Sequence, residues 1–229
     1  MNKIKEFQKL AQTFKSHGFN LFLVGGTVRD YLLDKELDDM DAVTDATPIE
    51  VISFLPHVDT SFAHLGSLKY KNENNIKFDI TTLREESGYL DSRHPSKITF
   101  VKDLKIDYLR RDFTINAIYM DASLNIIDYC NGQKDLSNHI LRMIGDPDKR
   151  LKEDPLRILR AIRFALMFNL VIEPSLYEAM RDRFYLLSNI TDAKIRSEID
   201  KIKEEDINLK YKKELLSEFD IANLRGVIK

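Results

Sequence analysis

The chain has 229 residues, 43% of them hydrophobic, and a formal net charge of −2 at pH 7. This length suffices for one large domain or two small ones, and the near-zero charge argues against a generally basic nucleic-acid coat, so any RNA contact would be local and salt-sensitive. No apolar run approaches the ~20 residues of a membrane span, and Cys130 is the only cysteine, which excludes an intrachain disulfide and favours the cytosol.

The first part of the chain combines helical spacing with short apolar runs and period-two alternation. Glycine, proline and polar clusters separate these patterns. The expected elements, in chain order, are a helix over 2–17, a strand over 19–24, a Gly25-Gly26 turn, a helix over 27–33, a strand over 39–43, a helix that opens at Thr47, a strand over 76–83, a polar loop over 84–97, a helix over 106–120 and a strand over 125–129.

The pattern changes after residue 135. From Leu136 onward no convincing strand pattern occurs, and helical spacing dominates. The helices are expected over 154–168, 174–186, 192–205 and 209–224. The sequence therefore predicts two domains, a head of strands and helices over residues 1–135 and an all-helical domain over residues 136–229.

Asp39 and Asp41 lie in the second expected strand, where residues two apart share a face. The upstream Gly25-Gly26 turn into a helix can hold phosphates on backbone N–H groups. Asp79 lies on another strand, and if the two strands are neighbours, three carboxylates converge and a divalent cation relieves their repulsion. This combination favours a site that moves nucleotides over solvated strand-end aspartates, although a structural role for Asp79 stays open.

Two basic segments could bind a nucleotide. In Arg110-Arg111-Asp112-Phe113-Thr114-Ile115-Asn116-Ala117, the adjacent arginines can clamp a triphosphate, and the aspartate and asparagine, one turn apart in a helix, can bind ribose hydroxyls. The plain alternative is a surface salt bridge of little energetic value.

The second basic segment begins at Glu153-Asp154-Pro155, which predicts a helix with Asp154 as its N-cap. Arg157, Arg160 and Arg163 recur every three residues and form one stripe. The acceptor of Asp154 and the donors of Arg157 could read the edge of a base without a template. The alternative is a helix cap followed by a solvated basic face.

Four motifs stand in order along residues 19–200, namely Gly-Gly-x-Val-Arg-Asp, Asp-x-Asp, Arg-Arg-Asp-Phe-Thr-Ile-Asn-Ala and Glu-Asp-x-x-Arg. With them the chain resembles the class II tRNA nucleotidyltransferase (CCA-adding enzyme) and bacterial poly(A) polymerase family. The resemblance implies an α+β fold, in which a nucleotidyltransferase head with a small mixed β-sheet and flanking helices precedes an all-helical neck. It also implies that the body and tail domains of the family are absent here.

The resemblance further implies roles for individual residues. Asp39 and Asp41 would hold Mg²⁺, and Asp79 would supply a third catalytic carboxylate. The residues implied in nucleotide binding are Gly25, Gly26, Arg29, Arg110, Arg111, Asp112, Asn116, Asp154, Arg157, Arg160 and Arg163. The helix over 192–205 resembles one that braces the nucleotide pocket. The expected reaction adds C and A from CTP and ATP to the tRNA 3′ end by two-metal phosphoryl transfer, with release of pyrophosphate.

Two segments favour CCA addition within that family. His64-Leu65-Gly66-Ser67-Leu68 resembles the His-Gly-Thr-Val of CCA-adding enzymes, and the loop over 89–95 resembles their flexible loop. The near alternative is a poly(A) or A-only polymerase, and the distant one is a non-catalytic nucleotide- or RNA-binding module. No membrane partner is expected, and the natural RNA and the oligomeric state stay open.

Overall fold

The structure is a computed structural model that describes residues 3–89, 95–202 and 210–219. It divides the chain into two compact units, the first formed by residues 1–88 and 96–133 and the second by residues 89–95 and 134–229. None of the helices in the described ranges combines the length and apolar character that a membrane crossing requires.

The described helices and strands alternate in the first unit, whereas helices dominate the second. In chain order they are α1 Lys3–Ser16, β1 Leu21–Val24, α2 Gly26–Leu32, β2 Met40–Thr44, α3 Pro48–Phe54, β3 Ser67–Lys71, β4 Lys77–Thr82, β5 Arg84–Tyr89, β6 Pro95–Phe100, α4 Leu104–Asp107, β7 Ile118–Met120, β8 Ile126–Asp128, α5 Gly132–Ser137, β9 Ile140–Leu141, α6 Pro147–Glu153, α7 Leu156–Met167, β10 Val171–Ile172, α8 Pro174–Arg183, α9 Asp192–Ile199 and α10 Lys210–Glu218.

The described strands of the first unit include a six-stranded mixed sheet in the order β3-β4-β2-β1-β7-β8. β2 and β4 run parallel, and the other neighbouring strands run antiparallel. The register of the parallel pair places Asp41 opposite Asp79. Because strand side chains alternate, both aspartates leave the same face of the sheet.

The opposite face of these two strands packs into the main core of the unit. Met40 and Phe78, which precede the two aspartates, are fully buried there. The apolar positions of α1 predict this packing, since Phe7 and Phe14 recur at helical spacing and join the same core. α3 contributes Val51, and a capping box between Thr47 and Glu50 stands at its start. Core packing therefore fixes which face of β2 and β4 carries the carboxylates.

The second unit is built mainly from helices. Leu151 of α6, Ile158 and Ile162 of α7, Leu176 of α8 and Ile199 of α9 are buried apolar residues of this unit. β9 and β10 add a two-residue parallel pair. The expectation of no strand after Leu136 is therefore wrong, because strands of two residues are too short to show a period in the sequence.

Two other expectations about the chain are wrong. The segment 106–120 is not one helix, since α4 ends at Asp107, short 3₁₀ turns follow over Tyr108–Arg110 and Thr114–Asn116, and β7 pairs with β1. The backbone is extended at Arg111 (φ −71°, ψ 161°). Tertiary pairing and buried polar contacts thus override local helical spacing here.

The stretch over 84–97, expected as a polar loop, contains a pair of strands, β5 and β6. Its polar residues hide the strand pattern, because no apolar face alternates along it. Residues 90–94 of the expected flexible loop lie outside the described residues. The segment that begins at His64 forms a 3₁₀ turn over Ala63–Leu65 and leads into β3, a strand that the sequence did not indicate.

Candidate functional site

Asp41 and Asp79 form an acidic pair on neighbouring parallel strands. Asp41 is half-buried, and burial together with the negative charge of Asp79 raises the pKa of its carboxyl above the ordinary value. The positive charges of Arg111 and Arg29 act in the opposite direction on the same pKa. Two carboxylates and two guanidinium groups of the first unit are therefore electrostatically coupled at this face of the sheet.

The glycine turn packs directly against Asp41. A Cβ at Gly26 would lie 3.4 Å from Asp41 Oδ2 and 3.5 Å from Arg29 Nη2, and one at Gly25 would lie 3.6 Å from Asp41 Oδ2. Gly25 also has φ +65°, which a residue with a side chain rarely adopts. The turn thus brings bare backbone to the aspartate and the arginine, leaving room that side chains would fill.

Thr27 ties this turn to the strand that carries Asp41. Its buried hydroxyl accepts a hydrogen bond from the Asp41 N–H at 2.8 Å and donates one to the Asp39 carbonyl at 3.4 Å. The Gly26 N–H in turn bonds the Asp41 carboxylate. These bonds hold the start of α2 and the start of β2 together, so the turn and the carboxylate cannot move independently.

Arg29 is nearly buried, with 7% of its surface exposed. Its Nη1 donates to Asn116 Oδ1 at 2.7 Å, and its Nε donates to Asp30 Oδ1 at 3.0 Å. Asn116 Nδ2 donates to Asp112 Oδ1 at 3.3 Å. The predicted proximity of Asp112 and Asn116 is therefore present, although a 3₁₀ turn rather than an α-helix creates it.

Arg110 and Arg111 converge on one carboxylate that the sequence did not single out. Asp107 is fully buried, and it accepts from Arg110 Nε at 2.8 Å and from Arg111 Nε at 3.0 Å. The plain alternative of a surface salt bridge is wrong for these arginines, because their side chains are only 13–14% exposed.

The donor chemistry of the acidic pair fits a divalent cation. Carboxylate oxygens are the ligands that Mg²⁺ prefers. Burial and then repulsion by Asp79 raise the pKa of Asp41, and a bound cation would relieve that repulsion. Lysine side chains stand beside the acidic residues, with Lys69 Nζ 3.6 Å from Asp79 and Lys77 Nζ 3.9 Å from Asp39.

The three carboxylates do not converge as the sequence suggested. Asp39 lies one residue before β2 and is exposed, so strand alternation does not direct it beside Asp41. Within residues 3–89, 95–202 and 210–219, no group of three or more His, Cys, Asp or Glu side chains has metal-binding spacing. The described geometry supports an acidic pair, Asp41 with Asp79, and leaves Asp39 exposed just before β2.

The second unit holds the other predicted residues in a network of its own. Asp154 stands between α6 and α7, and its Oδ1 accepts the Leu156 N–H at 3.1 Å. The expected N-cap role of Asp154 is wrong, because Pro155 occupies the N-cap position of α7 and Asp154 is the C-cap of α6. Arg157 is 6% exposed. Its Nη1 donates to the Arg150 carbonyl at 2.7 Å and lies 3.3 Å from Glu153 Oε2. The polar groups around Asp154 and Arg157 are thus fixed by neighbouring helices.

The arginine stripe continues along α7. Arg163 Nε donates to Glu198 Oε2 of α9 at 3.0 Å, and both residues are buried. Arg160 stacks over the Phe164 ring at 5.2 Å. Burial alone would raise the pKa of Glu198, but Lys201, Arg163 and Arg160 outweigh burial and lower it. The alternative of a solvated basic face is therefore wrong for Arg157 and Arg163.

Comparison with known proteins shows a family for this chain. The family model described as the poly A polymerase head domain matches residues 21–142, just over half of the chain. This chain belongs to the poly A polymerase head domain family. The matched range contains the glycine turn, the acidic pair and the two arginines.

Curated relatives of this chain are named CCA-adding enzymes. That of Lactobacillus helveticus is 44% identical over 193 residues, which is 83% of this chain and 48% of the relative. The chain spans about half the length of the curated relatives it matches.

Solved structures agree with this family and with the α+β fold class. The CCA-adding enzyme of Bacillus stearothermophilus in complex with CTP has a TM-score of 0.80 and 31% identity, covering 88% of this chain and 49% of that one. A tRNA nucleotidyltransferase complexed with a primer tRNA and an incoming ATP analogue has a TM-score of 0.75 and 29% identity, covering 93% and 61% respectively.

Three residues at the site were missed from the sequence, namely Thr27, Asp107 and Tyr119. The spacing of Asp107, three and four residues before the paired arginines, was an available signal, because such spacings bring side chains together in a helical turn. Thr27 and Tyr119 gave no comparable signal, since their partners depend on how separate elements pack.

Proposed function

We propose that this chain carries the catalytic site of a template-independent tRNA nucleotidyltransferase, which adds C and A from CTP and ATP to tRNA 3′ ends and releases pyrophosphate. The observation that carries the proposal is the in-register pair of Asp41 and Asp79, with the glycine turn packed against Asp41. CCA-adding relatives and the complexes of similar proteins with CTP, an ATP analogue and primer tRNA support the same substrates.

In this proposal, Asp39 and Asp41 hold Mg²⁺, with Asp79 beside them. When bound, the cation would offset the charge of the triphosphate and favour ionisation of the RNA 3′ hydroxyl. The chain's own carboxylates set the place of attack at the α-phosphate, and the guanidinium groups of Arg29 and Arg111 place positive charge beside them. Such positioning and charge stabilisation supply most of the rate in phosphoryl transfer.

The remaining predicted residues divide into two groups. In the first unit, the backbone of Gly25 and Gly26 admits the phosphates, Arg110 joins Arg111 on them, and Asp112 and Asn116 bind ribose hydroxyls. In the second unit, Asp154 and Arg157 present acceptor and donor groups to the base, and Arg160 and Arg163 extend that surface. The contacts of Arg157 with the Arg150 carbonyl and Glu153 support this role, because a fixed guanidinium can select hydrogen-bond patterns without a template.

We propose residues 1–135 as the head and residues 136–229 as the neck of this enzyme. The cytosol is the compartment proposed for it, since a chain with one cysteine forms no intrachain disulfide.

Extension of a tRNA that lacks CCA, resolved at single-nucleotide level, tests the activity. With CTP and ATP together we expect addition of C, C and A, and with ATP alone no addition to that tRNA. A ladder of A residues would instead establish the poly(A) or A-only alternative. Nucleotide binding without extension would establish the non-catalytic alternative.

A matched pair of variants tests the site. Asp41→Asn should abolish incorporation, because it removes the half-buried carboxylate beside the glycine turn. Asp59→Asn should retain full incorporation, because Asp59 is exposed and bonds Ser61 in its own turn. Equal incorporation by the two variants would refute the assignment.

A further inference from the structure

We infer that Asp107 is a positioning residue that orients Arg110 and Arg111 for the phosphates of the nucleotide. The inference rests on the proposed function, in which these two arginines contact the triphosphate. Asp107 lies at the end of α4 and precedes the arginines by three and four residues. It is a carboxylate outside the acidic pair, with no part in the proposed metal site.

The partners of Asp107 leave it little freedom. Oδ1 accepts from Arg110 Nε at 2.8 Å and from the Arg84 N–H at 3.2 Å. Oδ2 accepts from Arg111 Nε at 3.0 Å and from the Tyr119 hydroxyl at 2.9 Å. Each carboxylate oxygen thus bonds one arginine side chain and one group fixed in a strand.

The two strand-borne partners determine the direction of the carboxylate. Tyr119 belongs to β7 in the sheet, is fully buried, and its hydroxyl also accepts from Arg111 Nε at 3.1 Å. Arg84 begins β5. Through Tyr119 and Asp107, the sheet that carries the acidic pair therefore helps to set the orientation of the two arginine side chains.

Asp107 holds both guanidinium groups within the unit that also carries the acidic pair. Asp107 bonds both adjacent guanidinium groups, whereas Glu86, another carboxylate beside Arg110, lies 3.4 Å from Arg110 Nη1 and 2.7 Å from Arg84 Nη2. Arginine side chains lose much rotamer freedom when they are ordered. A carboxylate that orders two of them in advance therefore reduces the conformational entropy that is lost when the triphosphate binds.

Isothermal titration calorimetry of the 229-residue chain with inorganic triphosphate, and separately with CTP, in the presence of magnesium chloride, tests the inference. Asp107→Asn should raise the Kd for both ligands by a similar factor, on the order of tenfold, because charge-assisted bonds that orient both arginines are weakened. Asp59→Asn, at an exposed turn, is the matched control and should bind both ligands like the unaltered chain.

Tyr119→Phe keeps the buried ring and removes only the hydroxyl, which guards against unfolding of Asp107→Asn. It should raise both Kd values by about two- to threefold, as expected for the loss of one hydrogen bond. A merely structural role would lower the number of binding-competent molecules and leave the Kd of the remainder unchanged.

An unchanged Kd in either variant, measured on the folded fraction, would overturn the inference, as would the absence of triphosphate binding by the unaltered chain. Triphosphate binding that responds to both variants in a chain that extends no tRNA would sustain the inference and overturn the proposed function. In an active chain, each variant should raise the KM for CTP and the KM for ATP by a similar factor, and that factor should be larger for Asp107→Asn than for Tyr119→Phe.

Discussion

Gly132→Ala is expected to destabilise the first unit, even though alanine is the better helix former. Gly132 begins α5, and its φ is not in the left-handed region, so the backbone alone would accept alanine. A Cβ there would collide with the Thr114 carbonyl oxygen and would lie 2.8 Å from Ile118 Cγ1. The oxygen belongs to the backbone of the turn that also carries Asn116, the partner of Arg29.

The two opposing effects can be compared in magnitude. Helix propensity favours alanine by about 0.8–1 kcal/mol, whereas overpacking costs about 1–3 kcal/mol and reaches the upper end when a fixed backbone atom is struck. We therefore expect a net loss of about 1–2 kcal/mol, equivalent to a fall in Tm of about 2–8 °C for a chain of this size.

Differential scanning calorimetry of the 229-residue chain measures this effect. Gly18→Ala is the matched comparison, since Gly18 has φ +85° and no atom lies within 4 Å of the added Cβ. Gly18→Ala therefore measures backbone strain without a collision, whereas Gly132→Ala measures a collision without that strain. If Gly132→Ala melts at or above the temperature of the unaltered chain, the reasoning from steric contact is refuted. A rise in the KM for CTP should accompany the lower Tm, because the displaced turn holds Arg29 through Asn116.

Three further predictions concern polar contacts. Thr27→Val should lower kcat for single-nucleotide incorporation by about tenfold, since the Asp41 N–H loses its acceptor, and Thr27→Ser should restore it; equal rates for both variants would contradict this role. Burial would raise the pKa of Asp107, but Arg111, Arg110 and Tyr119 outweigh burial and lower the pKa from 3.8 to about 2. The resulting stabilisation of about 2 kcal/mol is therefore present above about pH 4 and lost as the pH falls through 2, so urea unfolding of the unaltered chain and Asp107→Asn should differ less at pH 3 than at pH 7. Glu198→Gln should destabilise the second unit by about 3 kcal/mol, because the buried guanidinium of Arg163 loses the negative charge of its partner. Loss of the exposed Lys201 amine, which also pairs with Glu198, should cost under about 0.5 kcal/mol. Similar urea midpoints for the variant at Glu198 and the variant at Lys201 would contradict the buried pairing.

Much of the head could be predicted because its core elements have strong periods. The helical spacing of α1 and the alternation of β4 each reflect one buried face, so the elements followed from burial alone. The prediction of one helix over 106–120 was wrong for the converse reason. Its apolar residues serve a buried polar cluster, two short turns and a strand in the sheet, and no single period describes them.

The acidic residues and arginines could be named from the sequence because few other residue types suit phosphate and metal chemistry. What holds them could not be named so readily. The contact between Thr27 and Asp41 joins α2 to β2, and only the packed structure brings that pair together. The same limit applies to Tyr119, whose phenol would ordinarily be assigned to the core.

The parallel pairing of β2 and β4 links the acidic pair to the integrity of the core. A slip of one residue between these strands would set Asp79 beside Met40 or Ala42 and turn Phe78 towards the charged face, because strand side chains alternate. Insertions or deletions inside β4 should consequently unfold the unit rather than yield a folded but inactive protein. The connection between α3 and β3 lies outside the two parallel strands, so a change in its length does not by itself shift the register of Asp41 and Asp79.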